Sequence, residues 1–273
     1  MSIAGSAERA ARFLELHRPG EPLLMPNAWD PGSARLLASL GFEALATTSS
    51  GFAASLGRLD YGVTREEAIA HGAVLAAAVG VPVSADLEDC FAQDPDGVAE
   101  TVRMARAAGL AGCSIEDWDP RSQSLYPPEV AAERVAAAAH AAHEGGVRLV
   151  LTARAENHLR GVPDAADTIS RLRAYQRAGA DVLYAPALDE PRHLRELVAS
   201  VERPVNVLAR ADTPAVAELA ALGVGRVSVG GAFAFAALAA VREAAIELRE
   251  RGTYGYAARS AEGAAAARTA FTA

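Results

Sequence analysis

Asp86, Glu88 and Glu116 are three carboxylates placed at the ends of two neighbouring apolar runs. Asp86 and Glu88 have the i, i+2 spacing that sets two side chains on one side of a strand. Carboxylates crowded in this way repel one another unless a cation or protons intervene. An all-oxygen set without histidine suits Mg2+, or Mn2+, better than Zn2+. Arg154 closes another apolar run, where a buried guanidinium requires an anionic partner. Glu116 or Glu156 could supply it as a structural ion pair; a substrate carboxylate is the preferred reading. Ser50 and Gly51 offer a hydroxyl and backbone N–H groups to an anion. Gly230 and Gly231 have the position of a barrel phosphate site, or of close helix packing.

The remaining reactive types say less. His71 and His140 fall in helical stretches, as surface or packing residues, whereas His158 sits at the end of a strand. Cys113 reads as core, and Cys90, following the acidic cluster, could be accessible.

These residues need a scaffold, and the chain repeats one. Short apolar runs at 23–26, 44–48, 81–85, 112–115, 148–152, 181–184, 204–208 and 226–229 are each followed by a turn and a helical stretch. Helix starts are marked at Pro31, at Thr64 with Glu67 as a capping box, at Asp94-Pro95, near Pro128 and after Pro163-Asp164. The runs lack in/out alternation, as expected of strands covered on both faces. Eight such units predict an α/β fold, a (β/α)8 TIM barrel, over residues 1–250, with a helical extension at 251–273. An open doubly wound sheet would call for a Gly-rich fingerprint after the first run, and none is there. In a closed barrel the C-terminal strand ends share one rim. Asn27, Asp30, Ser49, Ser50, Asp86, Glu88, Asp89, Glu116, Asp117, Arg154, Glu156, Asn157 and Asn206 would meet there.

Composition limits the partners. The 273 residues are 51% hydrophobic, which excludes disorder for most of the chain, and carry a net charge of −8. That charge argues against nucleic acid or an anionic membrane as a main partner. Two cysteines are too few for a disulfide framework, and no signal peptide or membrane span stands out. A cytoplasmic protein is expected.

In this order the motifs resemble the isocitrate lyase/phosphoenolpyruvate mutase superfamily, over about residues 20–240. They are Thr47-Thr48-Ser49-Ser50-Gly51 with Ser55-Leu56-Gly57 and Asp60, then Ala85-Asp86-Leu87-Glu88. Gly112-Cys113-Ser114-Ile115-Glu116-Asp117, Ala153-Arg154-Ala155-Glu156-Asn157 and Gly179-Ala180-Asp181 continue the match. The resemblance implies a Mg2+-dependent enzyme acting on small 2-oxo or 2-hydroxy carboxylates through an enolate. It implies Asp86, Glu88 and Glu116 as metal ligands, Ser50 and Gly51 as binders of the oxo-acid carboxylate, and Arg154 as the group that stabilises developing negative charge. Asp60 corresponds to an acidic residue near metal and substrate. Thr48, Glu156 and Asn206 complete the expected substrate-binding set. The resemblance also implies a homo-oligomer, a tetramer or a dimer, with the C-terminal helix exchanged between subunits.

Departures bear on the reaction. Isocitrate and methylisocitrate lyases carry a Lys-Lys/Arg-Cys-Gly-His segment after the fourth strand, where this chain has Asp119-Pro120-Arg121-Ser122-Gln123-Ser124-Leu125. Their cysteine acid is missing. Phosphoenolpyruvate mutase and phosphonopyruvate hydrolase carry Lys-Thr-Asn-Ser-Leu there, closer to this chain, yet Arg121 and Gln123 are not conservative replacements. Thr48 stands where many members have an aromatic residue. The expected reaction is carbon–carbon cleavage, with loop 118–127 as a lid and Arg121, Gln123, Tyr61 and His158 as candidate proton donors. Phosphorus–carbon chemistry and a catalytically weakened oxo-acid-binding barrel are the alternatives.

Overall fold

A computed structural model describes residues 3–272. Pro26 splits the first strand, β1, into Leu23–Met25 and Asn27–Ala28. The strands that follow are β2 (Leu45–Thr47), β3 (Val83–Asp86), β4 (Gly112–Glu116), β5 (Val150–Arg154), β6 (Val182–Tyr184), β7 (Val205–Leu208) and β8 (Arg226–Ser228). Each pairs in parallel with the next. The second half of β1 pairs with β2 and its first half with β8, so one broken strand closes the sheet into the expected TIM barrel.

The helices start where their capping residues stand. Asp30 caps α2 (Pro31–Ser39), and Thr64 with Glu67 forms the capping box of α4 (Arg65–Ala78). Asp94 caps α5 (Pro95–Ala107), α6 runs Pro128–His143, and Asp164 caps α7 (Ala165–Arg177). After β6, β7 and β8 come α8 (Pro191–Ser200), α9 (Val216–Ala221) and α10 (Ala232–Arg251). Gly252, left-handed at φ 62°, ends α10, and α11 (Ala257–Phe271) packs against α2. The turn expected after β2 is instead a short helix, α3 (Ser49–Ser55), capped by the Thr48 hydroxyl.

Two strands are displaced from their expected spans, and both shifts matter. β3 runs to Asp86 and β5 to Arg154, so the reactive side chains belong to the ladder itself. Glu88 does not share that ladder. β3 has ended before it, and Glu88 turns into the left-handed region at φ 50°, so the strand spacing read for Asp86 and Glu88 does not hold.

An N-terminal helix absent from the sequence reading, α1 (Ile3–Glu15), stops the lower mouth of the barrel. Its Phe13 is fully buried, and a Cβ on Gly112 would stand 2.8 Å from the Phe13 ring. Just beyond α1, His17 donates from Nδ1 to the Phe13 carbonyl (2.7 Å) and accepts at Nε2 from Arg226 (3.0 Å). Burial, and secondly the Arg226 charge, lower its pKa to about 3. In the unfolded chain it titrates near ~6.5, so between these values only the unfolded chain binds this proton. The contribution of His17 to stability is therefore complete above ~6.5 and is lost as pH falls toward about 3. In His17→Gln the pH dependence of unfolding free energy below pH ~6 is expected to flatten, by up to about 1.4 kcal/mol per pH unit. Equal slopes in the two proteins, measured by denaturant unfolding, would contradict a neutral buried imidazole.

Candidate active site

Parallel pairing sets Glu116 directly beside Arg154 and Asp86 beside Ser114. Three carboxylates therefore reach one guanidinium. Arg154 Nη1 donates to Asp86 Oδ1 (2.9 Å), Nη2 meets Glu116 Oε2 (3.1 Å), and Nε donates to Glu156 Oε1 (2.9 Å). The structural ion pair left open by the sequence is thus present, and it is threefold.

Each carboxylate has a different remainder. Asp86 also accepts from the Ser49 N–H and the Ser114 hydroxyl, each at 3.3 Å. Glu116 accepts from the Tyr61 phenol, and Arg160 lies beside it. Burial holds the Glu116 carboxyl well above the usual range, more strongly than Arg154 lowers it. Glu88 is buried with Oε1 unpartnered. Burial, then the charges of Asp86, Asp60 and Asp89, push it up to about 9. Asp60 is raised by burial and by Asp86.

Around this group lies a cavity of about 160 Å³, lined among others by Thr48, Ser50, Asp60, Asp86, Arg154 and Asn206. Thr48 caps α3 and its hydroxyl lies 3.2 Å from that of Ser50. Gly231 lies close against Ser50, since a Cβ there would stand 2.6 Å from Ser50 Oγ and 2.7 Å from the Phe235 ring. The suggested phosphate site at Gly230 is already filled from within. The Val229 and Gly230 N–H groups both donate to Asn27 Oδ1, at 3.0 and 2.9 Å.

Other expected residues lie apart from the cavity. Glu156 is fully buried, accepts from Arg154 Nε, and does not line the cavity. Gly51 is buried against Thr48, Trp29 and Ala234. Arg121 and Gln123 are on the exposed ribbon formed by Trp118–Asp119 and Ser124–Leu125. Arg121 is held there by Asp89 (2.7 Å) and Asp119 (2.8 Å), and Tyr126 OH also reaches Asp89 (3.2 Å). The loop is thereby pinned to the β3 side of the rim. His158 is half-buried with Nε2 unpartnered, and burial lowers its pKa. Cys90 is fully buried rather than accessible, as is Cys113; burial raises both thiols, Cys113 to about 12.

Sequence reading passed over Arg160 and Arg226. Arg160 donates to the Tyr61 phenol and stacks over the Trp118 ring at 4.4 Å. Its one signal was a position four residues after Glu156 on the same loop.

Among the described residues no three acidic, imidazole or thiol side chains converge as a ready ligand set, because Arg154 stands between Asp86 and Glu116. The donor chemistry nevertheless fits a hard divalent cation: the groups are oxygen-only, and Glu88 keeps a buried oxygen without a partner beside Asp86 and Asp60.

A closed parallel barrel with charged residues concentrated at the C-terminal strand ends is the architecture of a barrel enzyme. The phosphoenolpyruvate phosphomutase family model matches residues 13–249, and the chain belongs to that family. A lyase/mutase candidate from Burkholderia cenocepacia J2315 is 49% identical, with a TM-score of 0.89 over 93% of this chain and 92% of its own. A 2,3-dimethylmalate lyase of the PEP mutase/isocitrate lyase superfamily is 28% identical, with a TM-score of 0.81 over 90% and 89%. Oxaloacetate acetylhydrolase, solved with its product oxalate, is 27% identical, with a TM-score of 0.82 over 92% and 89%. The chain is an enzyme of this superfamily of lyases and mutases. No described helix is long and apolar enough to cross a membrane.

Removing one side of a buried charge cluster leaves the other uncompensated, at a cost of roughly 3–5 kcal/mol. Arg154→Met removes the one guanidinium that Asp86, Glu116 and Glu156 share, so unfolding free energy is expected to fall by about 3 kcal/mol. A loss below ~1 kcal/mol in denaturant unfolding would show that Arg154 does not hold these carboxylates together.

Proposed function

We propose that this enzyme is a Mg2+-dependent lyase that cleaves a carbon–carbon bond in a small 2-oxo or 2-hydroxy carboxylate through an enolate. The observation that carries the reading is the juxtaposition of Arg154 with Asp86 on one cavity wall, next to a buried Glu88 oxygen without a partner. Asp86, Glu88 and Glu116 would hold Mg2+, with Asp60 nearby, and Mn2+ would serve in its place. The chemistry such a cation would supply there is polarisation of the oxo-acid oxygen and stabilisation of enolate charge.

The chain's own residues do the rest. The Ser50 hydroxyl, on the cavity wall, is suited to a carboxylate oxygen, with Thr48 fixing its direction. Arg154, turned toward an anionic substrate, supplies the fork that matches a carboxylate or enolate oxygen. Glu156 positions that fork from behind. The Tyr61 hydroxyl donates a hydrogen bond to Glu116, and Arg160 holds the ring. Of the four proton-donor candidates Tyr61 is thus the one that touches Glu116, although none of the four lines the cavity. Arg121 and Gln123, the residues nearest the phosphonate enzymes' motif, stand away from the cavity, which favours carbon–carbon over phosphorus–carbon cleavage. The exposed Phe233, Phe235, Leu238 and Val241 of α10 support a homo-oligomer, whereas the expected exchange of the C-terminal helix has no such support, since α11 packs on α2 of its own chain.

The test is incubation with Mg2+ and a panel of oxo-, hydroxy- and phosphono-acids, reading released pyruvate or glyoxylate. A carbon–carbon substrate is expected to be cleaved, with activity abolished by EDTA and reduced at least about 10³-fold in Asp86→Ala. Turnover confined to phosphono-acids, or activity indifferent to EDTA, would overturn the proposal.

A further inference from the structure

Below the rim the barrel holds a second cation, and among the described residues no carboxylate pairs with it. Arg226 opens β8 and points into the barrel, 2% exposed. Its Nε donates to Asn206 Oδ1 (2.9 Å), Nη1 to His17 Nε2 (3.0 Å) and Nη2 to Thr152 Oγ1 (3.0 Å). All three acceptors are neutral. The other deeply buried arginines differ: Arg171 meets Asp117 and Asp167, and Arg134 meets Asp89. Among the described residues no ion pair neutralises Arg226, and burial lowers its pKa to about 9.

A guanidinium has five N–H donors, so three bonds leave one N–H on each terminal nitrogen unused. A buried charge without a counter-ion is costly, and among the described residues only neutral acceptors offset it. Yet the same side chain lines the cavity whose upper wall carries Ser50, Asp86 and Arg154. Asn206, Thr152 and Ser228 line that cavity beside it with neutral hydrogen-bonding groups. The cavity therefore presents a guanidinium at two levels, paired with carboxylates at the rim and without one below, with a polar but uncharged wall between.

We propose that Arg226 is the specificity-determining residue of a lower subsite, where it binds the distal carboxylate of a small dicarboxylic acid whose other carboxylate is held at the rim. This rests on the oxo- or hydroxy-acid reading above and adds to it a choice of dianions over monoanions. A substrate with one carboxylate would occupy the rim and leave Arg226 uncompensated. A dicarboxylate would supply the missing counter-charge through charge-assisted hydrogen bonds.

Malate and 2-hydroxybutyrate test this directly, since they differ only by a carboxylate in place of a methyl group. Thermal shift titrations with Mg2+ present give a half-saturating concentration for each ligand. In the wild-type enzyme malate is expected to saturate at a concentration at least about ten-fold lower than 2-hydroxybutyrate. In Arg226→Met the two are expected to converge to within about two-fold, with 2-hydroxybutyrate unchanged. A malate preference that survives in a folded Arg226→Met protein would overturn the assignment. Equal binding of the two acids by the wild type would overturn it even if that variant failed to fold. Wild-type protein that binds neither acid would instead refute the functional reading on which the subsite rests.

Discussion

One guanidinium governs the rim of this barrel. Arg154 faces Asp86, Glu116 and Glu156 at hydrogen-bonding distance, and Glu88 and Asp60 are neighbouring carboxyl groups. A single cation cannot balance that many carboxylates in their ionised form. Burial first, with neighbouring carboxylates adding to it, shifts Glu116, Glu88 and Asp60 upward. Such an arrangement is a poor way to stabilise a fold, because desolvation offsets most of the Coulombic gain. It is a good way to hold a site ready for a second cation, which would free Arg154 for an anionic ligand.

Closure of the sheet makes this crowding possible. Asp86, Glu116 and Arg154 come from three consecutive strands, β3, β4 and β5, and parallel register sets Glu116 beside Arg154 and Asp86 beside Ser114, two residues before Glu116. The helices contribute by capping and packing, and α1 seals the opposite mouth with Phe13. Behind that seal His17 stays neutral and Arg226 stays charged, so the barrel interior is polar along its axis rather than filled with aliphatic layers. Rim and interior thus share one design, in which charge is held apart from water with incomplete compensation.

The sequence made much of this legible, for identifiable reasons. Strands covered on both faces read as unbroken apolar runs, and capping residues such as Asp30, Thr64 and Asp94 mark helix starts locally. The carboxylates were readable because polar residues stood at the ends of those runs. What stayed hidden depends on distance in the chain or on unusual backbone. Arg154 and Asp86 are 68 residues apart, and nothing local announces that they meet. Glu88 was misplaced because its left-handed backbone breaks the strand spacing. Glu156 and Cys90 looked accessible at the rim and are buried behind it, since the loops there fold inward. Arg226, a charged residue within an apolar run, was visible and went unread.

The claim that the acidic rim awaits a cation is tested most directly by diffraction from crystals soaked with Mn2+ and oxalate, using anomalous scattering. One strong anomalous peak is predicted beside Asp86 and Glu88, with oxalate against Arg154 and the Ser50 hydroxyl. Oxalate bound at Arg154 with no anomalous peak at the carboxylates, or a peak elsewhere on the protein alone, would contradict the account.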